Sequence, residues 1–129
     1  GREPIWSEDF YNTISQSKMG LNLSRTNSVK YYTSNRISSL IGNGLTTFVD
    51  INTKLDDFFN DDEVIFYKNI RDLSDKLNYF KNNHDRRKKI GEKGKKKYFN
   101  FFDSSLVSQY IIDIVFDLKF KNKKPWMKK

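Results

Sequence analysis

The chain has 129 residues, enough for one modest domain, and its eleven Phe and seven Tyr supply much of the core area that an apolar content of 36% must provide. It has no Cys and a single His, His84, which excludes a disulfide framework, a thiolate metal site and a histidine-rich zinc site. The net charge of +8 is unevenly placed: residues 84–97 carry eight Lys or Arg against two acids, residues 119–129 carry six Lys against none, and the remainder is mildly acidic. Half of the excess lies on a terminal segment expected to be disordered rather than on a folded surface stripe, so nucleic acid is not the expected partner.

The start GREPIW has neither an initiating Met nor a signal-type apolar region, and no run of about 20 apolar residues exists to span a bilayer. The expectation is a cytoplasmic chain that is a piece of a longer protein. Residues 7–17, SEDFYNTISQS, predict a short helix capped by Ser7, with Phe10, Tyr11 and Ile14 at helical spacing. MGLNL at 19–23, LTTFV at 45–49 and EVIFY at 63–67 are β-rich segments, each pair separated by at least one helical pattern. A helix is expected to begin near Ser34 and to end at Gly42 and Gly44.

Ile70, Leu73, Leu77 and Phe80 recur at helical spacing and predict a helix that packs on the sheet. The basic run RRKKIGEKGKKKY reads as a solvated helix face with Ile90 and Gly94 inward, and His84 as a surface residue beside Asp85. Val107, Tyr110, Ile111, Ile114, Val115 and Leu118 form the broadest apolar stripe, after Ser104 or Ser105 as N-cap, and predict a last helix that holds the domain together. Alternating strands and helices imply an α/β fold: a partial doubly wound, Rossmann-like parallel sheet with flanking helices over residues 1–118, followed by a basic, disordered tail at 119–129. Three such strands leave a sheet edge that an upstream strand or a second copy would cover.

In open parallel sheets ligands lie beyond the carboxyl ends of the strands. Here the first strand leads to Asn22, Ser24 and Arg25, and the loop TNSVKYYT leads to a helix start at Ser34, Asn35, Arg36 and Ile37. Arg25, Lys30 and Arg36 bring three cations to an anion's reach, and Tyr31 and Tyr32 are candidates to stack on a base or sugar. The plainer reading has Ser34 as a cap and Ile37, Leu40 and Ile41 as core. The acidic stretch DDFFNDDE at 56–63 matches no calcium-loop spacing, and Asp50-Ile51-Asn52 offers only one acid and one amide at a strand end, so no metal site is assigned.

LNLSR, SNRISSLIGNGLTTFVD, DDEVIFYKNIRDLSDKLNYFKNN and RRKKIGEKGKKKYFNFF together resemble the C-terminal region of GT-B type glycosyltransferases of bacterial envelope polysaccharide pathways, over most of residues 5 to 118. The resemblance implies a C-terminal Rossmann-like domain that holds a nucleoside-diphosphate sugar as substrate, with no other cofactor. It implies diphosphate contacts from Ser34, Asn35 and Arg36, with Arg25 as a neighbour. Many relatives carry a Glu three residues after the Arg, where it bonds donor ribose or sugar hydroxyls; here that position is Ser39, which offers one neutral hydrogen bond. The resemblance further implies a missing N-terminal domain that binds the acceptor and supplies the catalytic base, so the chain alone is not expected to turn over, and no catalytic residue is assigned. The basic helix and the tail with Trp126 suit an enzyme held peripherally at the anionic inner face of a membrane; the alternative is a non-enzymatic module that uses its basic C-terminal quarter on nucleic acid or an anionic membrane.

Overall fold

A computed structural model describes residues 3–26 and 29–118. Three strands, β1 (Met19–Asn22), β2 (Thr46–Asp50) and β3 (Ile65–Tyr67), form one parallel sheet in the order β1-β2-β3. Around it stand α1 (Ser7–Gln16), α2 (Arg36–Gly42), α3 (Ile70–Asn82), α4 (His84–Phe102) and α5 (Ser104–Val115). The result is the expected α/β, Rossmann-like partial sheet flanked by helices. The link between β2 and β3 carries two 3-10 turns, Ile51–Thr53 and Leu55–Asp57, in place of a full helix.

The central strand is covered on both sides, which is why β2 tolerates no exposed residue until its last: Thr46, Thr47, Phe48 and Val49 are each at most 1% exposed. Its two threonines are satisfied locally, Thr46 Oγ1 donating to the Arg87 carbonyl at 2.7 Å and Thr47 Oγ1 to the Leu45 carbonyl at 3.0 Å. Alternation along the strands sorts the core into two layers. Val49 and Phe66 meet Ile41, Leu55, Phe59 and Val64 on one face; Phe48, Ile65 and Tyr67 meet Phe80 and Ile90 on the other, with Leu73 and Leu77 packed alongside. A third cluster, Ile14, Leu40 and Leu45 with Phe10, docks α1. At the outer edge of β3, the Lys76 ammonium donates to the Phe66 carbonyl at 2.6 Å and so occupies a main-chain acceptor of that edge.

α4 closes the amino end of the sheet. Ile90, Gly91 and Gly94 are its buried residues, in agreement with the inward face expected from sequence. A Cβ at Gly91 would collide with the Gly44 carbonyl oxygen, and one at Gly94 with the Glu63 carbonyl oxygen, so helix and strand entries touch backbone to backbone. Gly44 itself has φ +77, a left-handed conformation suited to glycine at the turn after α2. Arg87 fastens α4 to α3 by donating from Nη1 to the Phe80 carbonyl at 3.1 Å. The outward lysines find acids: Lys93 pairs with Asp62, Lys88 lies 3.9 Å from Glu92, and Lys97 lies 3.9 Å from Glu63. His84 opens α4 at the surface, with Nδ1 3.5 Å from Asp85.

Several expectations are corrected. Ser7 is not a cap: the extended N-cap backbone falls on Trp6, without a side-chain capping bond, and Ser7 is the first helical residue. Ser34 does not cap α2 either, because Asn35 precedes it, again with no side-chain capping bond. At α5 the cap is Asp103, whose carboxylate accepts from the Ser105 N–H at 2.9 Å; a charged acceptor suits a helix start better than the two serines that follow. Ile70 sits at the first position of α3 and is 84% exposed, since the stripe meets the sheet only from Leu73 onward. The last helix is not the glue of the domain: no α5 residue is buried, and Ile111, Ile114 and Val115 are 53–69% exposed, because the chain turns off at Asp103 beyond the two packed layers. The expectation for the tail at 119–129 lies outside the described residues.

The glycine contact is testable. Gly91→Ala should lower stability by about 1–3 kcal/mol, the cost of forcing an extra methyl into filled space. Gly42→Ala, whose Cβ would meet nothing within 4 Å, should be neutral or stabilising by up to about 1 kcal/mol. Urea unfolding of the two variants checks both, and a Gly91→Ala protein as stable as the parent would contradict the packing described here.

Candidate functional site

β1 ends at Asn22, which is 1% exposed, and the chain then makes a long loop before α2. That loop returns to where it left, because Ser34 Oγ donates to Asn22 Oδ1 at 3.0 Å. Its two arms are also joined by Ser24 Oγ donating to the Tyr32 carbonyl at 3.3 Å. Asn22 Nδ2 is buried and has no hydrogen-bond partner among the described residues, a condition that costs roughly 1–3 kcal/mol for a polar group removed from water. The seven-residue α2 then begins at Arg36, with Asn35 and Arg36 both exposed.

Two hollows adjoin this region. A polar cavity of about 220 Å³ is lined by Leu23, Ser24, Arg25, Thr26, Asp50 and Tyr67, and so draws on the carboxyl ends of all three strands. A larger groove of about 700 Å³ runs between α1 and α2 beside β1, with Asn35, Arg36 and Ser39 facing Trp6, Phe10 and Tyr11. The residues expected to grip a diphosphate are thus divided. Arg25 belongs to the cavity, Asn35 and Arg36 line the groove with Ser39, and Ser34 is held against Asn22.

Tyr31 and Lys30 are engaged by the protein itself. The Tyr31 ring packs on Phe58 with centroids 4.8 Å apart, its hydroxyl donates to Asp57 Oδ2 at 2.6 Å, and its N–H donates to the Thr53 carbonyl at 2.8 Å. The Lys30 ammonium lies 3.2 Å from the same Asp57 oxygen and 4.5 Å from the Tyr31 ring centroid. The Tyr31 phenol and the Asp57 carboxylate hold the Lys30 ammonium above the ordinary lysine range. Lys30 is therefore a partner of Asp57 instead of a third cation turned toward an anion. Tyr31 lines an apolar cavity of about 200 Å³ with Ile37, Phe58, Phe59, Tyr98 and Phe102, while Tyr32 is 38% exposed and its N–H donates to the Val29 carbonyl at 3.1 Å.

Of the residues of the polar cavity, Tyr67 escaped the sequence reading, and Asp50 entered it only within Asp50-Ile51-Asn52, which was set aside as a metal site. Asp50 and Tyr67 are register partners at the last positions of β2 and β3, so strand pairing brings them together. Asp50 Oδ1 accepts from the N–H and the side-chain amide of Asn52, both at 2.9 Å, which orients the carboxylate at the strand end. Tyr67 is 8% exposed, and burial first, then the Asp50 charge, push its phenol above the usual tyrosine range. The available signal was positional: a polar residue that closes a buried strand in a parallel sheet points into the ligand crevice.

Three of the five acids of 56–63 are likewise committed to neighbours, Asp57 to Tyr31 and Lys30, Asp62 to Lys93, and Glu63 to the Asn60 N–H at 2.9 Å. Among the described residues no group of three or more His, Asp or Glu stands where it could hold a metal ion, and no helix is long and apolar enough to cross a membrane.

Because folding raises the Tyr67 pKa, the protonated phenol is favoured in the folded state; the resulting stability is present below the ordinary tyrosine pKa and is lost as pH climbs through the raised one. Asp50→Asn should therefore move the Tyr67 ionisation midpoint part of the way back toward the ordinary value, leaving the burial contribution. Following the Tyr67 ring-carbon NMR signal from neutral to strongly alkaline pH measures this, and an unmoved midpoint would show that the two groups do not interact.

Comparison with known proteins found no match among curated proteins or solved structures. A family described as glycosyl transferase-like does match, over residues 1–113, which takes in the whole sheet, both hollows and α1 to α4. With a parallel sheet whose three carboxyl ends converge on a guanidinium, a carboxylate and a phenol, the chain belongs to the glycosyl transferase-like family.

Proposed function

We propose that this chain is the donor-binding side of a glycosyltransferase, holding a nucleoside-diphosphate sugar at the carboxyl ends of its strands for transfer to an envelope polysaccharide or glycolipid acceptor. The observation that carries the reading is the polar cavity shared by all three strand ends, in a chain of a glycosyl transferase-like family. Its chemistry suits such a donor. Arg25 offers a planar, permanently charged fork for phosphate oxygens, and Asp50 offers an acceptor for sugar or ribose hydroxyls. Arg36, at the start of α2, supplies a second guanidinium, and Ser39, one turn on along the same groove, supplies a neutral hydrogen-bonding group.

In glycosyl transfer the leaving diphosphate gains negative charge as the bond to the sugar breaks. Fixed cations aimed at that charge lower the barrier because they interact more strongly with the transition state than with the bound donor. In this reading Arg25 and Arg36 fill that role, with Ser34 and Asn35 as hydrogen-bonding neighbours. Acceptor binding and the catalytic base are assigned to a separate acceptor domain, as the GT-B resemblance implies.

Titration of isotope-labelled protein with UDP-, GDP-, dTDP- and ADP-sugars, followed by amide NMR, tests the proposal. One nucleotide should give saturable shifts at Leu23 to Thr26, at Ser34 to Ile37 and at Asp50. Replacing Arg25 or Arg36 by Ala should weaken that binding roughly tenfold or more, the scale of a hydrogen bond to a charged group. Affinity unchanged in both variants would remove the diphosphate assignment. Binding that ignores the base and collapses steeply with salt would point instead to the basic C-terminal segments acting on polyanions.

A further inference from the structure

Among the described residues between β1 and α2 there is no strand or helix ladder, yet Arg25 lines the polar cavity and Ser34 is bonded to Asn22. Loops of this length lose much conformational freedom when they adopt one shape, so the shape must be held by specific contacts. The strongest of these converge on one oxygen. Asp57 Oδ2 receives the Tyr31 hydroxyl at 2.6 Å and stands 3.2 Å from the Lys30 ammonium.

Asp57 itself stands on firm ground. It closes the second 3-10 turn, where Leu55 and Phe59 are 6% and 5% exposed, and where the N–H groups of Phe58 and Phe59 donate to the Leu55 carbonyl at 2.9 and 3.0 Å. Tyr31 has φ +65, a left-handed conformation disfavoured for a residue with a bulky side chain, which persists only where contacts impose it. Those contacts are its N–H to Thr53, its hydroxyl to Asp57 and its ring on Phe58. From Tyr31 the hold passes to both arms: the next carbonyl, that of Tyr32, accepts from Ser24, the neighbour of Arg25, and two residues further on Ser34 reaches Asn22.

We infer that Asp57 is a positioning residue: through Tyr31 and Lys30 it latches residues 30–34 to the second 3-10 turn after β2 and, by way of the bond from Ser24 to the Tyr32 carbonyl, sets where Arg25 stands over the Asp50–Tyr67 cavity. The functional consequence rests on the donor-site reading above, whereas the latch can be measured without it.

The test compares the parent chain with Asp57→Asn, Tyr31→Phe and Asp57→Glu. Asp57→Asn keeps the shape of the side chain and removes its charge; amide hydrogen exchange at Tyr31 should quicken roughly tenfold, as expected for loss of charge-assisted bonds. Exchange at Phe48 and Val49 should quicken by no more than the same factor, and exchange at Tyr31 should stay insensitive to low concentrations of urea, which separates opening of a local latch from global unfolding. Tyr31→Phe should reproduce the effect, and adding Asp57→Asn to Tyr31→Phe should add less than its effect alone, because both act on one contact. Asp57→Glu, which retains the carboxylate, should restore part of the protection.

For the functional half, the Kd of UDP, GDP, dTDP or ADP, whichever the parent binds, should rise with Asp57→Asn in the parent but not in an Arg25→Ala background, since the latch acts through Arg25. An unchanged Tyr31 exchange rate in Asp57→Asn would overturn the latch. A quickened rate with an unchanged Kd would overturn the positioning role. If the parent binds none of the four nucleotides while exchange responds as described, the donor-site reading fails and the positioning role falls with it, leaving a structural latch.

Discussion

The backbone contact between α4 and the strand entries is the constraint on which the rest of the molecule depends. A helix that touches Gly44 and Glu63 through Gly91 and Gly94 comes closer to the sheet than side chains would permit. From that position it serves both layers. Ile90 joins Phe48, Ile65 and Phe80, whereas Tyr98 and Phe102, further along the same helix, pack against the layer of Ile41, Val49 and Phe66. One helix thereby braces a three-stranded sheet that is too small to be stable without cover on both faces.

Closing the amino end in this way leaves polarity to collect at the other. Between the α4 contact and the strand ends every β2 side chain is buried, so ionisable groups appear only where the strands stop. Asp50 and Tyr67 are those terminal residues and are register partners, while the polar Asn22 that ends β1 pairs with Val49, one position earlier. A carboxylate beside a buried phenol, with a guanidinium across the same cavity, is an arrangement that hydrophobic packing would not select. It is more economically explained as a binding surface than as a stability device, since exposed charge pairs contribute little.

Most of the architecture was legible in the chain. The β-rich runs ending at Leu23, Val49 and Tyr67 located the strands, each to within a residue or two, and the Leu73, Leu77, Phe80 spacing located α3, because burial on one face writes its period into the sequence. What failed were decisions between near-equal local options and inferences about distance. Trp6 and Asp103 took the capping positions from adjacent serines, a choice settled by backbone geometry one residue away. The α5 stripe is as apolar as any core helix, but apolarity cannot say whether a partner lies within reach, and Ile114 and Val115 remain exposed. Arg25, Ser34, Arg36 and Ser39 were recognised as a group by type, while their division between a cavity, a hydrogen bond to Asn22 and a groove depends on how the loop folds back. Tyr67 was overlooked and Asp50 set aside because each alone is an ordinary strand terminus; only strand pairing brings them together.

The loop also answers a quantitative difficulty. A helix terminus contributes roughly 0.3–1 kcal/mol toward an anion in ordinary exposed geometry, whereas micromolar affinity requires about 8 kcal/mol. α2, at seven residues and without a side-chain cap, offers little of this. The balance must come from charged side chains held in place, because an arginine that must be ordered during binding gives back part of what its hydrogen bonds contribute. Arg25 sits on irregular backbone, so its preorganisation depends on whatever holds that backbone. In this chain the holding group is a carboxylate on the far side of the β2–β3 connection, reached through a tyrosine in a strained conformation and a lysine drawn to the same oxygen. Acidic residues that read as solvated loop decoration in the sequence thus help set the geometry of a cation that the donor would meet.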